Sequence, residues 1–161
     1  MAKHVLNNTF ESYDFSVIGI STRMNMYETL ARINHALNIE LAYTVNLPFP
    51  LSDGHEFQFA VFDFENTSME MEFQFISNTS NLLPASKIKS TGDGLFSGIT
   101  VDETARLVKE LPSVDFFLSM KGKAHEHRAL SAASIIDSLE GITNAEILDL
   151  QSLPSRQNLL M

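Results

Sequence analysis

His125 and His127 lie two residues apart, and on a strand two imidazoles at that spacing would share a face and could chelate zinc or nickel. The local sequence instead predicts a helix start there, where positions i and i+2 point apart. His4, His35 and His55 are scattered, and no third ligand stands at recognisable spacing. The pair therefore reads as solvated first-turn histidines and not as a metal site, although their protonated forms would oppose the helix dipole.

Asp53-Gly54-His55-Glu56 sets an acid, a flexible glycine and an imidazole side by side, the ingredients of acid/base catalysis. A polar hairpin entry after Pro48 and Pro50 accounts for the same residues without chemistry. Asp53, His55, His125 and His127 are the ligand candidates of the chain. Glu65, Glu70 and Glu72 could coordinate a hard cation with Asp63, but their alternation reads as a solvated face that blocks edge pairing. No Gly-x-Ser-x-Gly elbow is present. Gly92-x-Gly94 lacks the remaining glycine of a nucleotide fingerprint and precedes no helix directly. The reading assigns no catalytic residue, no cofactor and no metal.

Asp115 is the anomaly, a carboxylate inside the apolar run Val114-Asp115-Phe116-Phe117-Leu118. Burying it is costly unless it is paired or hydrogen-bonded. Either it lies on the solvent side of a strand, or it accepts bonds from backbone amides or from Lys121, Lys123 or Arg156. It is read as a structural carboxylate.

The elements that position these residues follow from periodicity. Residues 14–21 are apolar on both faces and read as a central strand. Asn25 begins a capping box, with Met26, Leu30, Ile33 and Leu37 at helical spacing and Asn38 as a left-handed stop. Residues 41–47 form a strand candidate ended by prolines. Residues 56–65 and 69–76, joined by Asn66-Thr67-Ser68, predict a β-hairpin. In its second arm Met69, Met71, Phe73 and Phe75 alternate with Glu70, Glu72 and Gln74, whereas the first arm is apolar on both sides and should lie deeper. Residues 77–99 read as the one long loop. Thr100-Val101-Asp102-Glu103 is a capping box, and Ala105, Val108 and Leu111 continue its stripe, which predicts a helix over 100–111 closed by Pro112. A strand over 114–120, a helix over 125–140 capped by Gly141, and a strand over 145–150 complete the chain, with a tail over 151–161. The order β-α-β-β-β-α-β-α-β predicts an α+β two-layer sandwich, a mostly antiparallel sheet with helices on one face, in the ferredoxin-like manner.

The chain has 161 residues, 44% of them hydrophobic, no Cys and a net charge of −9. That suits one globular domain that needs no disulfide, and its charge opposes the counterion release on which nucleic-acid affinity rests. Nucleic acid and membrane are excluded as partners. The N-terminus turns polar before any apolar run of signal-peptide length, so the reading is cytoplasmic. With 12 Phe, 7 Met and only 19% charged residues, the surface is expected to keep an apolar patch that a second copy covers, through a sheet face or residues 152–161.

Three stretches resemble a small bacterial family of unknown function named for its I-P-E-x-x-x-V-D-Y signature. They are Tyr13-Asp14-Phe15-Ser16-Val17-Ile18-Gly19-Ile20 with Leu30-x-x-Ile33-Asn34-x-Ala36-Leu37; Val114-Asp115-Phe116-Phe117-Leu118-Ser119-Met120-Lys121-Gly122; and Leu153-Pro154-Ser155-Arg156-Gln157-Asn158-Leu159-Leu160. Val114-Asp115-Phe116 stands where the family has V-D-Y, and Val108-Lys109-Glu110 keeps only the glutamate of I-P-E. Leu83-Pro84-Ala85 lies upstream, as if residues 86–112 were an inserted loop and helix. The resemblance implies a small bacterial cytoplasmic protein and supplies no site residue. The expected function is a non-catalytic module that binds a protein partner or itself. The alternative is a small-molecule binder or hydrolase with a pocket between the 53–56 and 86–99 loops.

Overall fold

The computed structural model describes residues 13–50, 56–83 and 104–159. The apolar run near the start forms strand β1 (Phe15–Thr22), with Val17, Ile18 and Ile20 buried. Helix α1 (Met26–Leu37) begins as its capping box dictates: the Asn25 side chain accepts from the Glu28 amide at 2.9 Å. It ends at Asn38, whose φ of 52° is the left-handed stop expected of that residue.

The next four strands are β2 (Ala42–Pro50), β3 (Glu56–Asn66), β4 (Met71–Ser77) and β5 (Thr79–Leu83). The β3–β4 hairpin turns through residues 67–70, with Met69 in the turn and Glu70 at a φ of 49°. In β4, Met71, Phe73 and Phe75 are buried while Glu72 faces water, so the alternation in the sequence sets the register. Strand β6 (Thr104–Arg106) and strand β7 (Phe116–Gly122) precede helix α2 (His125–Asp137) and strand β8 (Ile142–Ile147). Two 3-10 turns, Leu150–Ser152 and Pro154–Leu159, end the described chain.

The protein is α+β. Its antiparallel sheet runs β2-β3-β4-β7-β1-β8, and β5 extends beside β3 and carries β6 on its other edge. Strand β1 is antiparallel to both β7 and β8, so β7 and β8 run parallel with β1 between them, joined by α2. That is a split β-α-β crossover. The sheet is wider than a β-α-β-β-α-β unit, and the ferredoxin-like name is not adopted.

Each face of the sheet carries its own core. On one, Ile18, Ile20, Phe75 and Leu118 meet Leu30 and Ile33 of α1 and Ala129, Ala132 and Ile136 of α2. On the other, Val17, Phe59, Val61, Ile76 and Phe117 meet Leu107, Val108, Leu150, Leu153 and Leu159. Fully burying side chains of this size stabilises by roughly 1.5–3 kcal/mol each.

The helix expected over 100–111 is not formed in its described part: Thr104–Arg106 is a strand on β5, and residues 107–114 follow as bends and turns. The long loop expected over 77–99 begins instead with β5. Asn78 explains both differences. At this break between β4 and β5 its side chain is fully buried. Its own carbonyl accepts from the Leu107 amide and its own amide donates to the Asp115 carbonyl, both at 2.8 Å. Its side chain accepts from the Val108 amide at 2.8 Å and donates to the carbonyls of Leu111 and Val114 at 3.0 and 2.8 Å. Residues 107–114 thus find on Asn78 the backbone partners that a helix would have supplied. The later boundaries also move: α2 ends at Asp137 with Ser138 as its cap, and the last strand lies over Ile142–Ile147 instead of 145–150.

Candidate functional site

Asp115 precedes β7, half-buried. Its carboxylate accepts from the Thr22 amide at 2.8 Å, and its own amide donates to the Ile20 carbonyl at 2.9 Å. The two lysines considered as its partners stand at the other end of β7, where Lys121 lies 4.0 Å from Asp14 and Lys123 2.7 Å from Glu70. The carboxylate therefore clasps the end of β1, beside its bulge at Ser21/Thr22, to the strand that enters next to it.

His125 and His127 face different grooves. The His125 ring is half-buried, and its Nδ1 shares a hydrogen bond of 2.8 Å with Ser16 Oγ, so the solvated setting expected for it is replaced by a contact with β1. A serine hydroxyl on an imidazole is the start of a nucleophile–base pair. Among the described residues no carboxylate bonds the second ring nitrogen, so the third, orienting group is missing. His127 is exposed and lines the groove between α1 and α2. No group of three His, Asp or Glu side chains among the described residues could hold a metal ion. Asp53 and His55, and the whole 86–99 loop expected to face them, lie outside the described residues.

Asp63, Glu65 and Glu72 of the hairpin line a cleft of about 450 Å³ on the sheet face away from the helices; Glu70 is not among its lining residues. Asp63 Oδ1 accepts from Gln74 Nε2 at 3.0 Å, and Glu65 stands directly across from Glu72 in the β3–β4 register. Like charges placed so are mutually destabilising, which keeps this floor hydrated.

The remaining feature is a surface at the β2 edge. Tyr27 of α1 and Tyr43 of β2 each pack edge-on against Phe62, with ring centroids 6.5 and 5.9 Å from it. Phe62 is buried, whereas Tyr27 is 70% exposed and Tyr43 58% exposed. Val45 on the same strand is 52% exposed. The sequence had one signal for this patch: β2 reads Ala-Tyr-Thr-Val-Asn-Leu-Pro-Phe-Pro, without a charge. Edge strands normally carry charge to prevent association. Pro48, Pro50 and the irregularity between Tyr43 and Val45 oppose a long added strand, so the edge offers side chains more than a ladder.

No family model matches the chain, and no curated relative does. Among the described residues no helix is long and apolar enough to cross a membrane.

Proposed function

We propose that the protein is a non-catalytic module that associates with a second copy of itself through the Tyr27–Tyr43 surface. The observation that carries this reading is the pair of exposed tyrosine rings seated on one buried phenylalanine. Rings held this way present apolar area with little side-chain entropy left to lose, the property that enriches tyrosine at interface hot spots. Two chains of net charge −9 repel each other, so contact is cheapest where β2 brings no charge. A two-fold axis would set each patch against its equivalent.

The two routes expected from the sequence are partly occupied by the chain itself. One sheet face carries the helices, and the other is covered in part by the 3-10 turns. Within residues 152–159, Leu153 and Leu159 are buried in the chain's own core, and Asn158 Nδ2 donates to the Leu107 carbonyl at 2.7 Å. We also place the chain with the I-P-E-x-x-x-V-D-Y family. Support comes from Val17, Phe117 and Leu159, one from each resembling stretch, which share one core.

The chain has 3 tyrosines, so Tyr13 is an internal control. With tyrosine labelled for NMR, the ring signals of Tyr27 and Tyr43 should shift as protein concentration rises while those of Tyr13 stay fixed. Fixed signals for all of them would contradict the proposal.

A further inference from the structure

A second surface of different chemistry lies between α1 and α2. Ala124, His127, Arg128, Ser131 and Ile135 recur at three- and four-residue spacing, so they form one flank of α2. Leu37 of α1 faces them, and Phe73 and Met120 of the sheet make the floor. The groove between these walls has a volume of about 390 Å³, within the roughly 300–1,000 Å³ of small-molecule sites. From residue 124 to residue 135 it follows α2 for roughly 16 Å at the helical rise per residue.

Polarity is graded along that length. His127 and Arg128 stand at the end near the start of α2, Ser131 comes one turn later, and Ile135, still 39% exposed, lies at the far end with Leu37. None of the residues lining the groove is acidic, in a chain whose net charge is −9. Arg128 is half-buried, yet its guanidinium has no ion pair or hydrogen bond among the described residues. It also sits in the first turn of a helix whose cap, Ala124, has no side-chain bond to the open amides. A cation there is opposed by the helix dipole, and an anion beside it would satisfy both. The apolar floor makes no provision for a strongly hydrated ion such as free phosphate.

We propose that this groove binds an amphiphilic carboxylate of the fatty-acid class. The head group would take charge-assisted hydrogen bonds from Arg128, with His127 and Ser131 beside it, and the hydrocarbon tail would lie over Phe73 and Met120 toward Ile135. The proposal is independent of self-association at β2, because the two surfaces share no residue.

Isothermal titration of the full chain with laurate, below its micelle concentration, tests it. Saturable binding of one laurate is expected, with no binding of acetate and at least about tenfold weaker binding of dodecanol, which keeps the tail without the charge. Arg128→Gln should weaken laurate by about tenfold or more, the worth of a charge-assisted bond, with Arg128→Lys losing less. Arg156→Gln, away from the groove, and Tyr43→Lys should bind laurate as the wild type does. Thermal melts establish that each variant is folded. Absence of saturable laurate binding, or equal affinity in folded Arg128→Gln, would overturn the proposal. So would a dimer that Arg128→Gln dissociates without any laurate binding, since the groove would then belong to a second copy.

Discussion

The side-chain carbonyl of Asn78 accepts a hydrogen bond from the amide of Val108 at 2.8 Å, across 30 residues of chain. With the two bonds that its side-chain amide donates to Leu111 and Val114, it fixes the segment that covers the second core. Asn78→Ala leaves those backbone groups without partners, at about 1–3 kcal/mol for a buried one. A total loss of about 2–4 kcal/mol in urea melts is expected. Asn78→Asp should cost at least as much, because a carboxylate would face the two carbonyls. An unchanged midpoint in either variant would contradict this role.

This residue also shows where the sequence was legible and where it was not. The hairpin and α1 could be read because their signals are local: alternation from Met71 to Phe75, and Asn25 with Glu28 three residues on. The stretch over 100–111 carried an equally good local signal, yet Leu107 and Val108 are buried beneath the sheet and held by Asn78. Tertiary partners override propensity there, and a lone asparagine in a polar stretch does not advertise them. Asp115 could be singled out because a charge in an apolar run is costly; its partner, the Thr22 amide, has no side-chain signature. Arg128 and Tyr43 carry no local signal, because their significance depends on what stands beside them in the folded chain.

Gly122 has a φ of +137°, and a Cβ there would strike the Glu70 carbonyl oxygen and lie 2.7 Å from the Met71 sulfur. The first contact is backbone at the end of the β3–β4 turn and the second a side chain of the paired strand β4, so the backbone oxygen is the one with little room to give. Gly122→Ala is expected to destabilise by about 1–3 kcal/mol. A calorimetric melt indistinguishable from wild type would show that the turn relaxes freely.

Asp115→Ala removes the acceptor for the Thr22 amide at a half-buried position. A loss of about 1–2 kcal/mol in denaturant melts is expected. Asp115→Asn keeps an oxygen that can accept, so its loss should be smaller, about 1 kcal/mol or less. If the asparagine variant is the weaker of the two, acceptance from the Thr22 amide is not what Asp115 contributes.

Glu110 is held below the ordinary carboxylate range by a hydrogen bond from its own backbone amide and by the Ser155 hydroxyl, 2.8 Å from its Oε1. Because folding lowers this pKa, the stabilisation is fully present above the unfolded-chain value and is lost as pH falls through the folded one. An NMR titration should find Glu110 protonating below the ordinary carboxylate range. Ser155→Ala should move it upward. No movement would mean that the hydroxyl does not hold the carboxylate in solution.

The central claim is that the Tyr27–Tyr43 surface beside the uncharged strand β2 joins two copies of the chain, and light scattering across a rising concentration series measures this most directly. The wild type should reach twice the 18.0 kDa chain mass, while Tyr43→Lys, which places a charge on each facing patch, should remain at the chain mass with an unchanged fold by circular dichroism. A wild type that stays at 18.0 kDa at the highest concentration, or a folded Tyr43→Lys variant that still doubles its mass, would contradict it.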